Sequence, residues 1–341
     1  MTSVPTTMLA AVYEPGNIDL VLNKEYPLRA LEDDEILLKV SACGVCHTDT
    51  FFLSGFTLDT RTYVMGHEIS GTPVLLGDKV DQSKIQLGQL YSVLSPAHGQ
   101  HAPNGGPVFN DIYGIGLDGG YAEYIIVKDF NVVPVPAGVT PEAAAVAGDA
   151  GTTAYNAVKH TAGQGSKVLI FGVGGLGHLA VQYAKHLGAT VYVCDFKPEA
   201  RQLALDVGAD EAFSLINLSN KTAAGFTVDS TIDFIANTQT FNLAMASLSG
   251  NDIVFPEMPR LVLVGVSADN LVFAAGNTIV AGVQILSSAY GPENALEEVL
   301  DLFAEGIVQA HITVEPLENV NKAINDLRAY RTTGRKVVVP Q

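Results

Sequence analysis

The sequence predicts an α/β protein of two domains, one compact and mostly β, the other doubly wound around a parallel six-stranded sheet. Three observations carry this prediction. The chain has 341 residues, more than one ordinary hydrophobic core accommodates. Residues 1 to about 150 are rich in Gly and Pro and hold short β-like runs. From about 151 to 287, near-continuous apolar runs alternate with helical stretches, the pattern of a sheet covered on both faces.

In the first region the clearest strands are 36–40 (ILLKV) and 124–127 (YIIV). In the second, six candidates follow one another: 167–171 (KVLIF), 191–194 (VYVC), 212–215 (AFSL), 231–235 (TIDFI), 260–264 (RLVLV) and 282–286 (GVQIL). Six strands separated by helices match the doubly wound dinucleotide fold. The remainder, 288–341, predicts helices over 296–306 and 320–330 and a last strand over 336–339, which returns to the first domain. The predicted domains are therefore 1–150 with 288–341, and 151–287.

Composition narrows the function. The hydrophobic fraction is 48%, with 16% charged, which suits a globular protein rather than a disordered one. A net charge of −17 argues against nucleic acid, whose phosphates need a basic surface. No apolar run approaches ~18 residues, so no membrane span is predicted. The first residues lack a basic, then apolar, leader pattern. Three cysteines are too few for a disulfide scaffold and fit a reducing compartment, so a cytoplasmic location is expected.

The first strand of the doubly wound region runs into Gly172-Val173-Gly174-Gly175-Leu176-Gly177, and a helix with Ala180, Tyr183, Ala184 and Leu187 on one face follows. Gly172 permits the tight turn, Gly174 lets the backbone approach a pyrophosphate, and Gly177 lets helix and strand pack closely. The anion then meets the positive helix N-terminus. Gly188 is placed to end the helix. Asp195, 23 residues after Gly172, ends the second strand. A carboxylate there hydrogen-bonds the ribose 2′-hydroxyl of NAD and repels the 2′-phosphate of NADP. The competing reading has Asp195 capping the helix that starts near Pro198.

A second motif lies in the β-rich region. Cys43-Gly44-Val45-Cys46-His47-Thr48-Asp49 is followed about twenty residues later by Gly66-His67-Glu68. Thiolate and imidazole are zinc ligands, and a catalytic zinc usually takes three protein ligands plus water. Cys43 and Cys46 have the spacing of a redox pair or of half a structural zinc site. The only other cysteine, Cys194, reads as a buried strand residue, and the thioredoxin-type context of a redox pair is absent.

These motifs, with Gly77-Asp78-Lys79-Val80, Gly119-Gly120-Tyr121-Ala122-Glu123-Tyr124 and Gly334-Arg335-Lys336-Val337, resemble the medium-chain zinc alcohol dehydrogenases over essentially the whole chain. The resemblance implies a GroES-like catalytic domain, a Rossmann domain, and reversible hydride transfer between NAD and an alcohol, with aldehyde or ketone as the product. It implies Cys46 and His67 as zinc ligands, with Asp149 at the third ligand position, where many members have cysteine; a helix cap is the competing role for Asp149. Cys43 matches a position that is not a ligand. Asp49 matches the carboxylate that orients His67, and Glu68 the acid that approaches the metal during ligand exchange.

Thr48 matches the residue that accepts the alcohol proton and relays it to the nicotinamide ribose. Relatives end that relay on a histidine three positions on, where this chain has Phe51. His47 and Arg335 match pyrophosphate contacts, Thr153 a nicotinamide contact, and the backbone of Val264-Gly265-Val266 the segment bracketing the carboxamide. Phe51 and Phe52 are candidates for an apolar pocket wall that favours small or medium aliphatic or aromatic alcohols.

Many members hold a structural zinc with four clustered cysteines, but the corresponding stretch, 95–120, has none. Its His98 and His101 read as solvated, so one zinc per chain is expected. Relatives imply a homodimer or homotetramer. The competing functions are a polyol dehydrogenase, a zinc-free quinone or enoyl reductase, and a non-catalytic NAD-binding protein.

Overall fold

The computed structural model describes residues 4–55, 61–96, 112–249, 258–276, 282–292 and 294–341. His98 and His101 lie outside the described residues. The chain forms two compact units. One comprises Met1–Gly151, Pro292–Gly306 and Ile312–Gln341; the other comprises Thr152–Gly291 and Ile307–His311. No helix among the described residues is long and apolar enough to cross a membrane.

The first unit is built on β-structure. Its central strand, Glu35–Val45, is buried along nearly its whole length and pairs antiparallel with Glu68–Leu76, Tyr124–Lys128 and Arg335–Val339. The sheet runs in the order Val132–Pro134, Tyr91–Val93, Glu68–Leu76, Glu35–Val45, Arg335–Val339, Ile312–Pro316. The last strand of the chain thus lies against a strand near its beginning. A second, three-stranded sheet joins Val21–Pro27, Thr7–Tyr13 and Tyr63–Val64.

The second unit is a six-stranded parallel sheet in the order Glu211–Phe213, Thr190–Cys194, Lys167–Phe171, Ser230–Asp233, Arg260–Leu263, Gln284–Ser287. In sequence terms that order is 3-2-1-4-5-6, the doubly wound arrangement whose ligand crevice lies where the winding reverses. The winding reverses at Lys167–Phe171, the strand that feeds the glycine loop. Residues 168–171 are all fully buried, as expected for a strand covered on both faces.

Strand ends differ from the sequence pattern by a few residues, each for a local reason. The third strand stops at Phe213 because Ser214 caps the next helix, its hydroxyl accepting from the Asn217 N–H at 3.2 Å. The fourth stops at Asp233, whose Oδ1 accepts from the N–H groups of Ile235 (2.9 Å) and Ala236 (2.8 Å) and turns the chain. The sixth begins after Gly282, which sits at φ +63°. Helices Ala295–Ala304 and Val320–Arg328 end two residues before the apolar pattern does. Gly306 and Tyr330 beyond them adopt positive φ.

Candidate metal centre and nucleotide loop

Three short pieces of the first unit deliver the metal-type donors. Cys46 follows the strand Glu35–Val45 and N-caps the helix His47–Leu53; its N–H donates to Asp49 Oδ2 at 2.9 Å. His67 precedes the strand Glu68–Leu76 and follows Gly66, at φ +96°, where a Cβ would fall 2.6 Å from the Tyr121 ring and 2.8 Å from Cys43 Sγ. Only glycine fits that passage. Asp149 lies in a single π turn, Ala147–Gly151, between helices Pro141–Val146 and Thr152–Lys159. Such turns are rare and recur at functional sites. This one packs so closely that a Cβ on Gly148 would lie 2.6 Å from the Val93 carbonyl.

Ligand atoms of Cys46, His67, Glu68 and Asp149 all lie within 4.8 Å of one another, and all four residues are buried. His67 Nε2 is 3.4 Å from Asp149 Oδ2, and Cys46 Sγ is 4.0 Å from the same oxygen. A tetrahedral zinc with bonds of about 2.0–2.3 Å has ligand-to-ligand edges of roughly 3.4–3.6 Å; the His67–Asp149 distance matches such an edge, and the Cys46–Asp149 distance exceeds it by a few tenths of an ångström. The other ring nitrogen, His67 Nδ1, faces Asp49 Oδ1 at 3.3 Å, which turns Nε2 toward the cysteine and the second carboxylate. Asp49 Oδ2 also accepts from the Tyr121 hydroxyl at 2.6 Å, and Ser95 donates to the His67 carbonyl.

The electrostatics point the same way. Cys46, Asp49, Glu68 and Asp149 can each carry negative charge in a buried volume, and Arg335 offsets one of them. A cation is the chemically complementary occupant. Burial opposes ionisation of Cys46, but the Arg335 charge and a hydrogen bond to His67 outweigh it and hold the thiol below its ordinary range. Burial likewise opposes a charge on His67, yet the carboxylates of Asp49 and Asp149 raise its pKa well above normal. Cys43 behaves differently: burial, then Asp49, push its thiol well up. Its sulfur fills space beside Gly66 and Gly120 rather than joining the donor cluster.

Glu68 has a partner of its own. Arg335, 2% exposed, donates from Nε to Glu68 Oε2 at 2.9 Å, and its Nη2 contacts Oε1. The guanidinium of Arg335, matched by sequence to a pyrophosphate contact, is thus held in the donor cluster. Gly44 leaves the room, since a Cβ there would overlap the Glu68 side chain. Thr48 Oγ1 lies 3.4 Å from Cys46 Sγ. On the same helix Phe52 is buried, Phe51 half-buried and His47 exposed, its ring 6.3 Å from that of Tyr330.

In the second unit, Gly172 turns at φ +85°, Gly174 has open space where a Cβ would stand, and Gly177 packs directly on the Gly172 carbonyl. Leu176 N-caps the helix Gly177–His186 with no side-chain hydrogen bond. Gly175 is half-buried beside it. Asp195 is 5% exposed; Oδ2 accepts from the Val173 N–H and Oδ1 from the Lys197 N–H, both at 2.8 Å. It therefore ties the glycine loop to the end of the second strand. The helix Pro198–Asp206 is N-capped by Lys197, not by Asp195. Thr153 is buried, and its Oγ1 accepts from the Tyr290 N–H at 2.9 Å. Val264 and Gly265 donate to the Asp233 carbonyl (3.0 and 3.1 Å), while Val266 is largely exposed.

Four features escaped the sequence pattern: the Tyr121 bond to Asp49, the Ser95 support of His67, the Arg335–Glu68 pair, and the buried His178 of the nucleotide helix. Tyr121 lies in the Gly119–Tyr124 motif, but nothing local marks a hydroxyl whose partner is 72 residues away.

Comparison with known proteins covers both units. The model of the alcohol dehydrogenase GroES-like domain matches residues 32–137, and that of zinc-binding dehydrogenases matches residues 175–305. An alcohol dehydrogenase of Geobacillus stearothermophilus is 31% identical over 345 residues, spanning 97% of this chain and 99% of that protein. Among solved structures, acetophenone reductase from Geotrichum candidum in complex with NAD superposes with a TM-score of 0.86 at 32% identity, covering 99% of this chain and 98% of that one. The alcohol dehydrogenase of Aeropyrum pernix gives 0.85 at 27% identity, covering 97% and 100%.

Proposed function

This chain belongs to the zinc-type alcohol dehydrogenases of the medium-chain family, and from that premise we propose that Cys46, His67 and Asp149 hold its single catalytic zinc. The enzyme is an NAD-dependent oxidoreductase of alcohols and carbonyl compounds. The observation that carries the ligand assignment is the convergence of one thiol sulfur, one imidazole nitrogen and one carboxylate oxygen, all buried and within 4.8 Å of one another.

Bound zinc supplies Lewis acidity, polarising a carbonyl or lowering the pKa of an alcohol. The protein does the rest. Asp49 fixes the orientation of His67, and Tyr121 and the Cys46 N–H fix Asp49. Thr48, beside Cys46 Sγ, is placed to take the hydroxyl proton of the substrate. With Phe51 where relatives carry a histidine, the relay ends in water or another group, or its role is diminished. In the nucleotide unit the glycine loop receives the pyrophosphate, and Asp195 the adenosine ribose. Phe51 and Phe52 favour an apolar substrate, and the acetophenone reductase likeness favours a secondary alcohol or its ketone. We assign the active form as a homodimer or homotetramer in the cytoplasm.

The test is elemental analysis together with NAD reduction across primary alcohols, secondary alcohols and polyols. One zinc per chain with 1-phenylethanol preferred is the expected result. A metal-free active enzyme, or a preference for polyols, would overturn the reading.

A further inference from the structure

His178 is the second residue of the helix Gly177–His186 and is completely buried. Both ring nitrogens are engaged. Nε2 accepts from the backbone N–H of His311 at 3.0 Å, so Nε2 carries no proton. Nδ1 therefore bears the hydrogen and donates it to the Gly174 carbonyl at 2.7 Å. One helical turn on, Gln182 grips the same segment: its Nε2 donates to the Gln309 carbonyl and its Oε1 accepts from the Gln309 N–H, both at 2.9 Å. The stretch Ile307–His311 is thus clipped along the nucleotide helix by two side chains four residues apart. The chain then leaves this unit and continues as the strand Ile312–Pro316.

The bond to Gly174 bears on the glycine loop. A trans peptide is planar, with its C=O and N–H pointing in opposite directions. Holding the Gly174 carbonyl against the helix turns the N–H of the same peptide, that of Gly175, the other way. Beside this peptide, Gly174 has open space where a Cβ would stand, and the helix N-terminus lacks a side-chain cap. The Gly174 carbonyl also accepts from the His178 backbone N–H at 3.3 Å, so the imidazole supplies the shorter of its two bonds, and without it a flexible glycine–glycine peptide keeps only the longer one. We infer that His178 is a positioning residue for the cofactor: its Nδ1–H aims the Gly175 N–H at the pyrophosphate, while its Nε2 separately seats the segment Ile307–His311. The inference rests on the assignment of the glycine loop to NAD.

Two substitutions separate the halves of this arrangement. In His178→Asn the amide nitrogen replaces Nδ1 but cannot reach His311. In His178→Gln the longer side chain replaces Nε2 but abandons Gly174. NADH affinity is measured by fluorescence titration, and KM for NAD is measured apart from kcat. The Asn variant should stay within about threefold of wild type. The Gln variant should bind NADH roughly tenfold more weakly, the worth of one buried hydrogen bond, with kcat at saturating NAD little changed. Equal affinities for the two variants would overturn the inference. Wild-type protein that fails to bind NADH would overturn the cofactor assignment instead. Should both variants misfold, nitrogen-15 spectra of the wild type decide: His178 must be the neutral Nδ1–H tautomer, and its Nδ1 resonance must shift on adding NADH. An Nε2–H tautomer, or an unmoved resonance, would sink the inference.

Discussion

Asp149 Oδ2 lies 3.4 Å from Nε2 of His67, while Nδ1 of the same ring lies 3.3 Å from Asp49. One imidazole is bracketed by two carboxylates that do different work. Asp49 faces Nδ1 and is itself held by the Cys46 N–H; Asp149 faces Nε2, with the Cys46 sulfur 4.0 Å from the same oxygen. Asp149→Ala should lose zinc and lower kcat by roughly a hundredfold or more, with NADH binding retained. Asp149→Cys should restore zinc, since thiolate is also a zinc donor. Zinc retained at full stoichiometry in Asp149→Ala would remove Asp149 from the ligand set.

The Glu68–Arg335 pair has no solvent to screen it. Replacing Arg335 by Met leaves a buried carboxylate without its partner and should cost about 3–5 kcal/mol in urea unfolding. The double variant Glu68→Gln with Arg335→Met should recover most of that loss. A double variant no better than the single one would mean that Arg335 stabilises through contacts other than Glu68.

Asp195 is held by two backbone N–H groups, so it is already oriented before a ribose arrives. Asp195→Gly should reduce kcat/KM for NAD by at least tenfold and narrow the preference over NADP. It should also loosen the Val173 turn, seen as a small fall in Tm. A wild-type enzyme that prefers NADP would refute the assignment.

His178 links acidity to stability. Burial lowers its pKa to about 4, against the Gly174 bond that favours the charged form, and any charge on neighbouring His311 lowers it further. The unfolded chain therefore takes up this proton first, its ordinary value being about 6.5. The contribution is complete above about pH 6.5 and declines as pH falls toward 4, where about 3 kcal/mol has been lost. Urea midpoints for wild type and His178→Asn should converge as pH drops from 7 to 4. A gap that stays constant would show that His178 does not titrate in this range.

The order of motifs makes much of this protein legible in its sequence. Period and composition fall along the chain, so the six parallel strands, the glycine loop after the first of them, and the return of the last strand could be read locally. Cys46 and His67 stood in recognisable runs for the same reason. The strand ends were not legible to the residue. They depend on side chains such as Ser214 and Asp233 satisfying particular backbone N–H groups, a choice that polar residues make in context.

Tertiary structure alone decided what the site residues touch. Asp149 and His67 are 82 positions apart in sequence, and only the π turn and the Gly66 passage bring their atoms together. Arg335 and Glu68 are 267 apart, joined because the final strand lies along Glu35–Val45. His178 and His311, 133 apart, meet because a short segment returns to the nucleotide helix. A sequence displays which donors exist and how they repeat. Which carboxylate faces Nε2 of His67, and which faces Nδ1, is set by long-range packing, because electrostatic and hydrogen-bond energies depend on distances of a few ångströms that no local pattern encodes.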